Sequence, residues 1–248
     1  MNNLIQNYNI ILKELQKNCV AIENFKQIRT PKLSNLELVA LNLTAEYMSI
    51  DTELQLFRFI KNTELESKIE RSVYNKRRRV LCGYLEAIRV SFREKFAEFT
   101  DVFIVDSMPF PICKISREKR SGICSTSTIL PNFGYCAAQK SKYFGYKLHA
   151  VCDKNGVFDS FDLTPASVHD VNYLTDLKYS LKNCILIGDR GYISADYQLD
   201  FFNTSNVKLA VQMRKNQDNF VAFSFTKSKI RKRIETAFSQ KMGNLCYA

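Results

Sequence analysis

Ile185-Leu186-Ile187-Gly188-Asp189-Arg190-Gly191-Tyr192 is the stretch on which the fold turns. Three apolar, strand-favouring residues run into a glycine and then an aspartate. A short apolar run closed by turn residues predicts a buried strand. The acid then falls where the strand leaves the core, at the carboxyl end that open α/β sheets use for ligands. Val102-Phe103-Ile104-Val105-Asp106 has the same shape. Two buried strands, each delivering an aspartate at its end, are what a shared carboxylate site needs. Each aspartate alone is equally readable as a turn or helix-cap residue.

Composition sets the bounds around these strands. A chain of 248 residues holds one large domain or two smaller ones, with ample core. Apolar residues at 46% and charged residues at 25% exclude a disordered chain. A formal charge of +11 favours an anionic partner, above all nucleic acid, although solvated lysine faces give the same excess. The eight cysteines are scattered without a CxxC pair, and only His149 and His169 could join them, which argues against structural zinc. A site among Cys113, Cys124 and Cys136 stays open. Cys152 and Cys184 read as small core residues, and reduced thiols fit a cytoplasmic protein. Met1-Asn2-Asn3 opens no signal peptide, and no apolar run approaches a membrane span.

Residues 1–100 predict an all-helical region. Leu4, Ile5, Tyr8, Ile11, Leu12 and Leu15 recur at helical spacing, and Ser34 with Glu37 is a capping-box start. Tyr74-Asn75-Lys76-Arg77-Arg78-Arg79 is expected to start a further helix carrying Val80, Leu81, Tyr84 and Leu85. Cations at a helix start oppose its dipole unless an anion is near. A DNA phosphate is one such anion, so Lys76, Arg77, Arg78 and Arg79 are candidate DNA contacts. A solvated face balanced by Glu66 and Glu70 is the other reading.

Residues 101–248 predict an α/β unit. Ser107 to Lys142 reads as a long, basic, polar segment. Tyr146–Cys152 and Val157–Leu163 flank Asp153-Lys154-Asn155-Gly156, a strong hairpin signal. A helix over Asp170–Leu181 follows, then the Cys184–Gly188 strand, a helix capped by Ser194, a strand over Val207–Val211, and a last helix over Lys229–Met242. Five strands in this order predict a mixed sheet flanked by helices.

The last helix carries Ile234, Phe238 and Met242 as a stripe that must face the sheet, with Glu235 at its margin. Glu235 can reach the sheet edge, or it can pair with Arg231 four residues back. Asp106, Asp189 and Glu235 together could bind two divalent metals for in-line phosphoryl transfer, and such a cluster makes little electrostatic sense without cations.

Five short pieces then resemble a known family. They are Ile104-Val105-Asp106-Ser107, Phe144-Gly145-Tyr146-Lys147-Leu148-His149, Thr164-Pro165-Ala166-Ser167-Val168-His169-Asp170, Gly188-Asp189-Arg190-Gly191-Tyr192 and Arg233-Ile234-Glu235. In this order they resemble DDE transposases of bacterial insertion sequences, most closely the IS982 family, with an RNase H-like core. The resemblance implies that Asp106, Asp189 and Glu235 are the catalytic triad binding two Mg²⁺ or Mn²⁺ ions. It implies cutting at element ends and strand transfer into target DNA, by a homo-oligomer in the bacterial cytoplasm. Lys147, Arg190, Arg231 and Arg233 become candidate DNA contacts, with a salt bridge as the alternative for Arg190. Asp170 is expected to cap a helix, and His149 either packs or nears the site. The ending Gly243-Asn244-Leu245-Cys246-Tyr247-Ala248 does not resemble the family's continuation, so a shortened copy with weak or no activity is expected. A silent DNA-binding protein and an RNase H-like nuclease without strand transfer are the competing expectations.

Overall fold

The computed structural model describes residues 3–18, 30–97, 101–213 and 222–245, and the side chains of these except 96–97 and 240–245. The chain divides into two compact units, Met1–Glu98 with Gln240–Ala248, and Phe99–Ser239.

The first unit is helical. Helix α1 (Asn3–Asn18) buries Leu4, Tyr8 and Leu15 along one face. Helix α2 (Asn35–Tyr47) opens with the predicted capping box: Ser34 Oγ accepts from the Glu37 amide, and the Glu37 carboxylate accepts from the Ser34 amide. Two of the amides a helix start leaves unpaired are thereby satisfied. Helix α3 (Glu53–Phe59) follows from a Thr52 cap. Helix α4 spans Arg71–Val80 and helix α5 spans Cys82–Ala97. The expected helix start at Tyr74–Arg79 is therefore wrong. Arg77, Arg78 and Arg79 lie in the last turn of α4, where the carbonyl end of the dipole favours them.

The second unit is built on one mixed sheet. Strand β1 (Val102–Cys113) pairs antiparallel with β3 (Ser141–Asp153) and parallel with β5 (Ile185–Gly188). Strand β4 (Phe158–Pro165) returns from β3 through the predicted Asp153–Gly156 turn. Gly156 has φ +90°, the region that Asn-Gly turns require. Strand β6 (Lys208–Val211) extends the parallel side beyond β5.

Among the described residues the sheet has six strands, not five. The extra one, β2 (Asn132–Cys136), lies inside the segment expected to be a long polar loop. It pairs with residues 141–145 of β3, and β4 takes over the same strand from Tyr146. The rest of that segment also differs, because β1 continues seven residues past Asp106 and a 3₁₀ turn covers Ile115–Arg120. Around the sheet, the helix expected over Asp170–Leu181 is shorter: a 3₁₀ turn (Asp170–Tyr173) leads into helix α6 (Leu174–Leu177). Helix α7 (Ala195–Ser205) starts from Ser194 as expected, and α8 (Phe225–Leu245) closes the order. Val105, Val151, Leu174, Leu186, Phe201 and Leu209 share one core. This mixed sheet flanked by helices is consistent with an α/β RNase H-like fold.

Candidate active site

Parallel pairing sets the site. Val102, Phe103 and Ile104 stand level with Ile185, Leu186 and Ile187. The same offset carries Asp106 level with Asp189, two residues beyond the last pair. Adjacent strands are about 4.8 Å apart, so two acids level on neighbouring strands share one locality. Asp106 is not at the end of its strand, as expected, but inside β1. It does lie past the end of the parallel pairing, which is the position that matters for an α/β site.

Local bonds orient both acids. Asp106 Oδ1 accepts from the Ser107 amide at 2.8 Å. Asp189 caps the 3₁₀ turn Arg190–Tyr192, its Oδ1 accepting from the Gly191 amide at 2.7 Å. Burial lifts the Asp106 carboxyl to about 7, opposed by the Ser107 amide and raised further by Asp189 and Glu235. Burial also raises Asp189, against the Gly191 amide, and the nearby charge of Asp170 adds to the rise.

Asp170 is the residue that sequence reasoning misplaced. The capping role falls to His169, whose Nδ1 accepts from the Val171 amide. The Asp170 carboxylate instead takes the Ser107 hydroxyl at 2.9 Å and an ion pair from Lys147 at 2.8 Å. A Cβ on Gly191 would meet Asp170 Oδ2 at 2.9 Å and Asp189 Oδ1 at 3.0 Å. Only a glycine there lets both carboxylates close on the turn. One signal was available: Lys147 is the sole lysine or arginine in Tyr146–Cys152, and a cation in such a strand calls for an acid.

Helix α8 carries Glu235, the third acid expected from the sequence. Ile234 and Phe238 are buried as the stripe required, while the Met242 side chain lies outside the described residues. Glu235 is exposed and pairs with Arg231, Nη2 to Oε1 at 2.6 Å. Arg231 also depresses the pKa values of Asp106 and Asp189, so its charge reaches all three acids. Among the described residues no three His, Cys, Asp or Glu side chains stand close enough to hold one metal ion. Asp106 and Asp189 nevertheless suit a hard divalent cation in their chemistry: oxygen donors, raised by burial and by neighbouring carboxylates, and short of positive charge. Arg231 supplies part of that charge.

The remaining candidates separate. Lys147 donates to the Val168 carbonyl besides its bond to Asp170, and Arg233 donates to the Asn155 carbonyl at 3.1 Å. Arg190 is exposed beside Asp189. His149 is packed: it is buried, stacked on Tyr173 at 4.6 Å, bonded to Thr164, and pushed down to about 4 chiefly by burial. In the helical unit Lys76 and Arg79 are exposed, Arg78 pairs with Glu53, and Arg77 donates to the Leu33 carbonyl and Asn35.

Residues 97–241 match the family model described as a transposase DDE domain. No curated protein and no solved structure matches the chain. Among the described residues no helix is long and apolar enough to cross a membrane.

Proposed function

This chain belongs to the transposase DDE-domain family, and from that premise we propose that it cuts DNA at the ends of an insertion element and joins the freed 3′-hydroxyl to target DNA. The subgroup is the IS982 type, on the five motif pieces from Ile104 to Glu235. The observation that supports the reading is that Asp106, on β1 past its parallel pairing with β5, and Asp189, just past the end of β5, are both raised by burial and by neighbouring acids, Asp189 among those acting on Asp106.

In this reading Asp106, Asp189 and Glu235 hold two Mg²⁺ or Mn²⁺ ions. Such ions, when bound, stabilise the attacking and leaving oxygens of an in-line displacement. The chain's own residues do the rest. The Ser107 and Gly191 amides aim the two aspartates, and Lys147 holds Asp170 beside them. Arg190 and Arg233 meet backbone phosphates, and Arg231 turns from Glu235 towards DNA. Lys76 and Arg79 offer exposed charge on the helical unit. Arg78 stays a candidate through its weaker 3.7 Å pair, whereas Arg77 is largely taken up by internal bonds. The active assembly in this reading is a homo-oligomer.

The test is cleavage of duplexes carrying the flanking inverted repeats in Mg²⁺, wild type against Asp189→Asn. The account expects nicked ends and joined product from the wild type and at least a hundredfold loss in the variant, about 3 kcal/mol of barrier. Equal activity in both would overturn the assignment. One observation favours a second reading, a silent DNA-binding protein: Glu235 is exposed and paired with Arg231. Duplex binding without cleavage by the wild type would select it.

A further inference from the structure

Parallel pairing between β1 and β5 ends at Ile104 and Ile187. Asp106 and Asp189 lie beyond it, so no backbone ladder between these strands fixes the gap between the two carboxylates. Like charges repel when both are ionised, which drives the pair apart. A contact outside that ladder must set their spacing, and the residues around Asp170 supply one.

Ser107 follows Asp106 within β1, so its side chain leaves the opposite face of the sheet. It stands level with His149 of β3, and Lys147, two residues away, shares that face. Ser107 is bonded to two acids at once: its amide donates to Asp106 Oδ1 at 2.8 Å and its hydroxyl to Asp170 Oδ1 at 2.9 Å. The other oxygen of Asp170 faces the turn after β5. A Cβ on Gly191 would fall 2.9 Å from Asp170 Oδ2, and the Gly191 amide is the donor that holds Asp189. Asp170 therefore meets β1 with one oxygen and the Asp189 turn with the other. Its own place is fixed as well. Lys147 Nζ donates to Asp170 Oδ1 at 2.8 Å and to the Val168 carbonyl at 2.7 Å, joining the carboxylate to the loop before it. Tyr173, at the end of the same 3₁₀ turn, is stacked on the buried His149. The capping bond to Val171 comes from His169, so Asp170 is not needed for it. The negative charge of Asp170 opposes ionisation of Asp189, and Lys147 offsets that charge.

We propose that Asp170 is a positioning residue: with Lys147 as its counter-ion, it braces Ser107 against the Gly191 turn and so sets the separation of Asp106 and Asp189. The proposal rests on the reading that those two acids share a divalent cation. A cation held by two carboxylates needs them at one separation, and residues bonded to metal ligands act through such orientation. The brace gives Lys147 a duty inside the protein in place of a DNA contact.

The test is Mn²⁺ binding by the full chain near pH 8, read by electron paramagnetic resonance of free Mn²⁺. Ser107→Ala removes the bridging hydroxyl and changes no charge, and it is expected to weaken binding about tenfold. Lys147→Met discriminates by sign. Loss of a nearby positive charge alone would tighten Mn²⁺ binding, whereas release of the brace is expected to weaken it about 10- to 100-fold. Urea melts show which variants are folded under the assay conditions; if Lys147→Met is not, Ser107→Ala decides alone. Wild-type affinity in Ser107→Ala, or tighter binding in a folded Lys147→Met, overturns the brace, and binding by the wild type then leaves the shared-cation reading standing. No Mn²⁺ binding by the wild type overturns both.

Discussion

Burial, with the neighbouring charges of Asp189 and Glu235 added, holds the Asp106 carboxyl at about 7 against an ordinary value of 3.8. Between those values the unfolded chain binds fewer protons than the folded one, so folding stability falls as pH rises from about 4 to about 7. Above the folded value the penalty is complete. Asp106→Asn cannot ionise, so it should stabilise the protein in EDTA by about 1–3 kcal/mol near pH 8 and by much less near pH 4. Urea melts at the two pH values check this; a larger gain at the acidic end would refute the burial of this charge. Asp106 and Asp189 stand out in the sequence because each follows an apolar run, although Asp106 lies inside β1 and not at its end. Asp170 could not be placed, because an aspartate that caps and an aspartate that binds a distant lysine look alike until Ser107 and Lys147 are brought beside it.

At the scale of elements, period and turn chemistry made five of the six strands and the capped helices legible. The misses have physical causes. Pro109 and Pro111 argue against a strand, yet β1 runs through them. Pairing with β5 ends at Ile104, so beyond that point β1 pairs on the β3 side. A missing N–H is tolerated on an edge that makes no ladder. Strand β2, Asn-Phe-Gly-Tyr-Cys, shows no apolar alternation because its rings face outward and its glycine fits beneath Ala166. The basic run of α4 was placed at the wrong end because Leu81 and Tyr84 continue the helical period across the break before α5. That correction removes the dipole argument for an anion at Lys76–Arg79.

Helix α8 raises a prediction of its own. Arg231 competes with any divalent cation for Asp106, Asp189 and Glu235. Arg231→Gln should therefore tighten Mn²⁺ binding about 3- to 10-fold near pH 8, where the carboxyls are ionised. Electron paramagnetic resonance of free Mn²⁺ reads this directly, and weaker binding would mean that Arg231 positions Glu235 instead.

On the scale of the whole molecule, charge is the property most visible in the sequence and least informative about where it acts. The helical region 1–100 holds only +4 of the +11. If Lys76, Arg79, Arg190, Arg231 and Arg233 each neutralise one phosphate, duplex affinity should fall roughly five-hundredfold between about 50 and 200 mM salt. A nearly salt-independent affinity would remove them from the interface. The family match covers residues 97–241, a span that includes Asp106, Asp189 and Glu235.

The central claim is that Asp106 and Asp189 jointly hold a divalent cation. Mn²⁺ binding measured near pH 8 on the wild type, Asp106→Asn and Asp189→Asn tests it without requiring any DNA chemistry. The account predicts binding by the wild type and at least a tenfold loss in each variant, about 1.4 kcal/mol or more. Unchanged binding in either variant would contradict it.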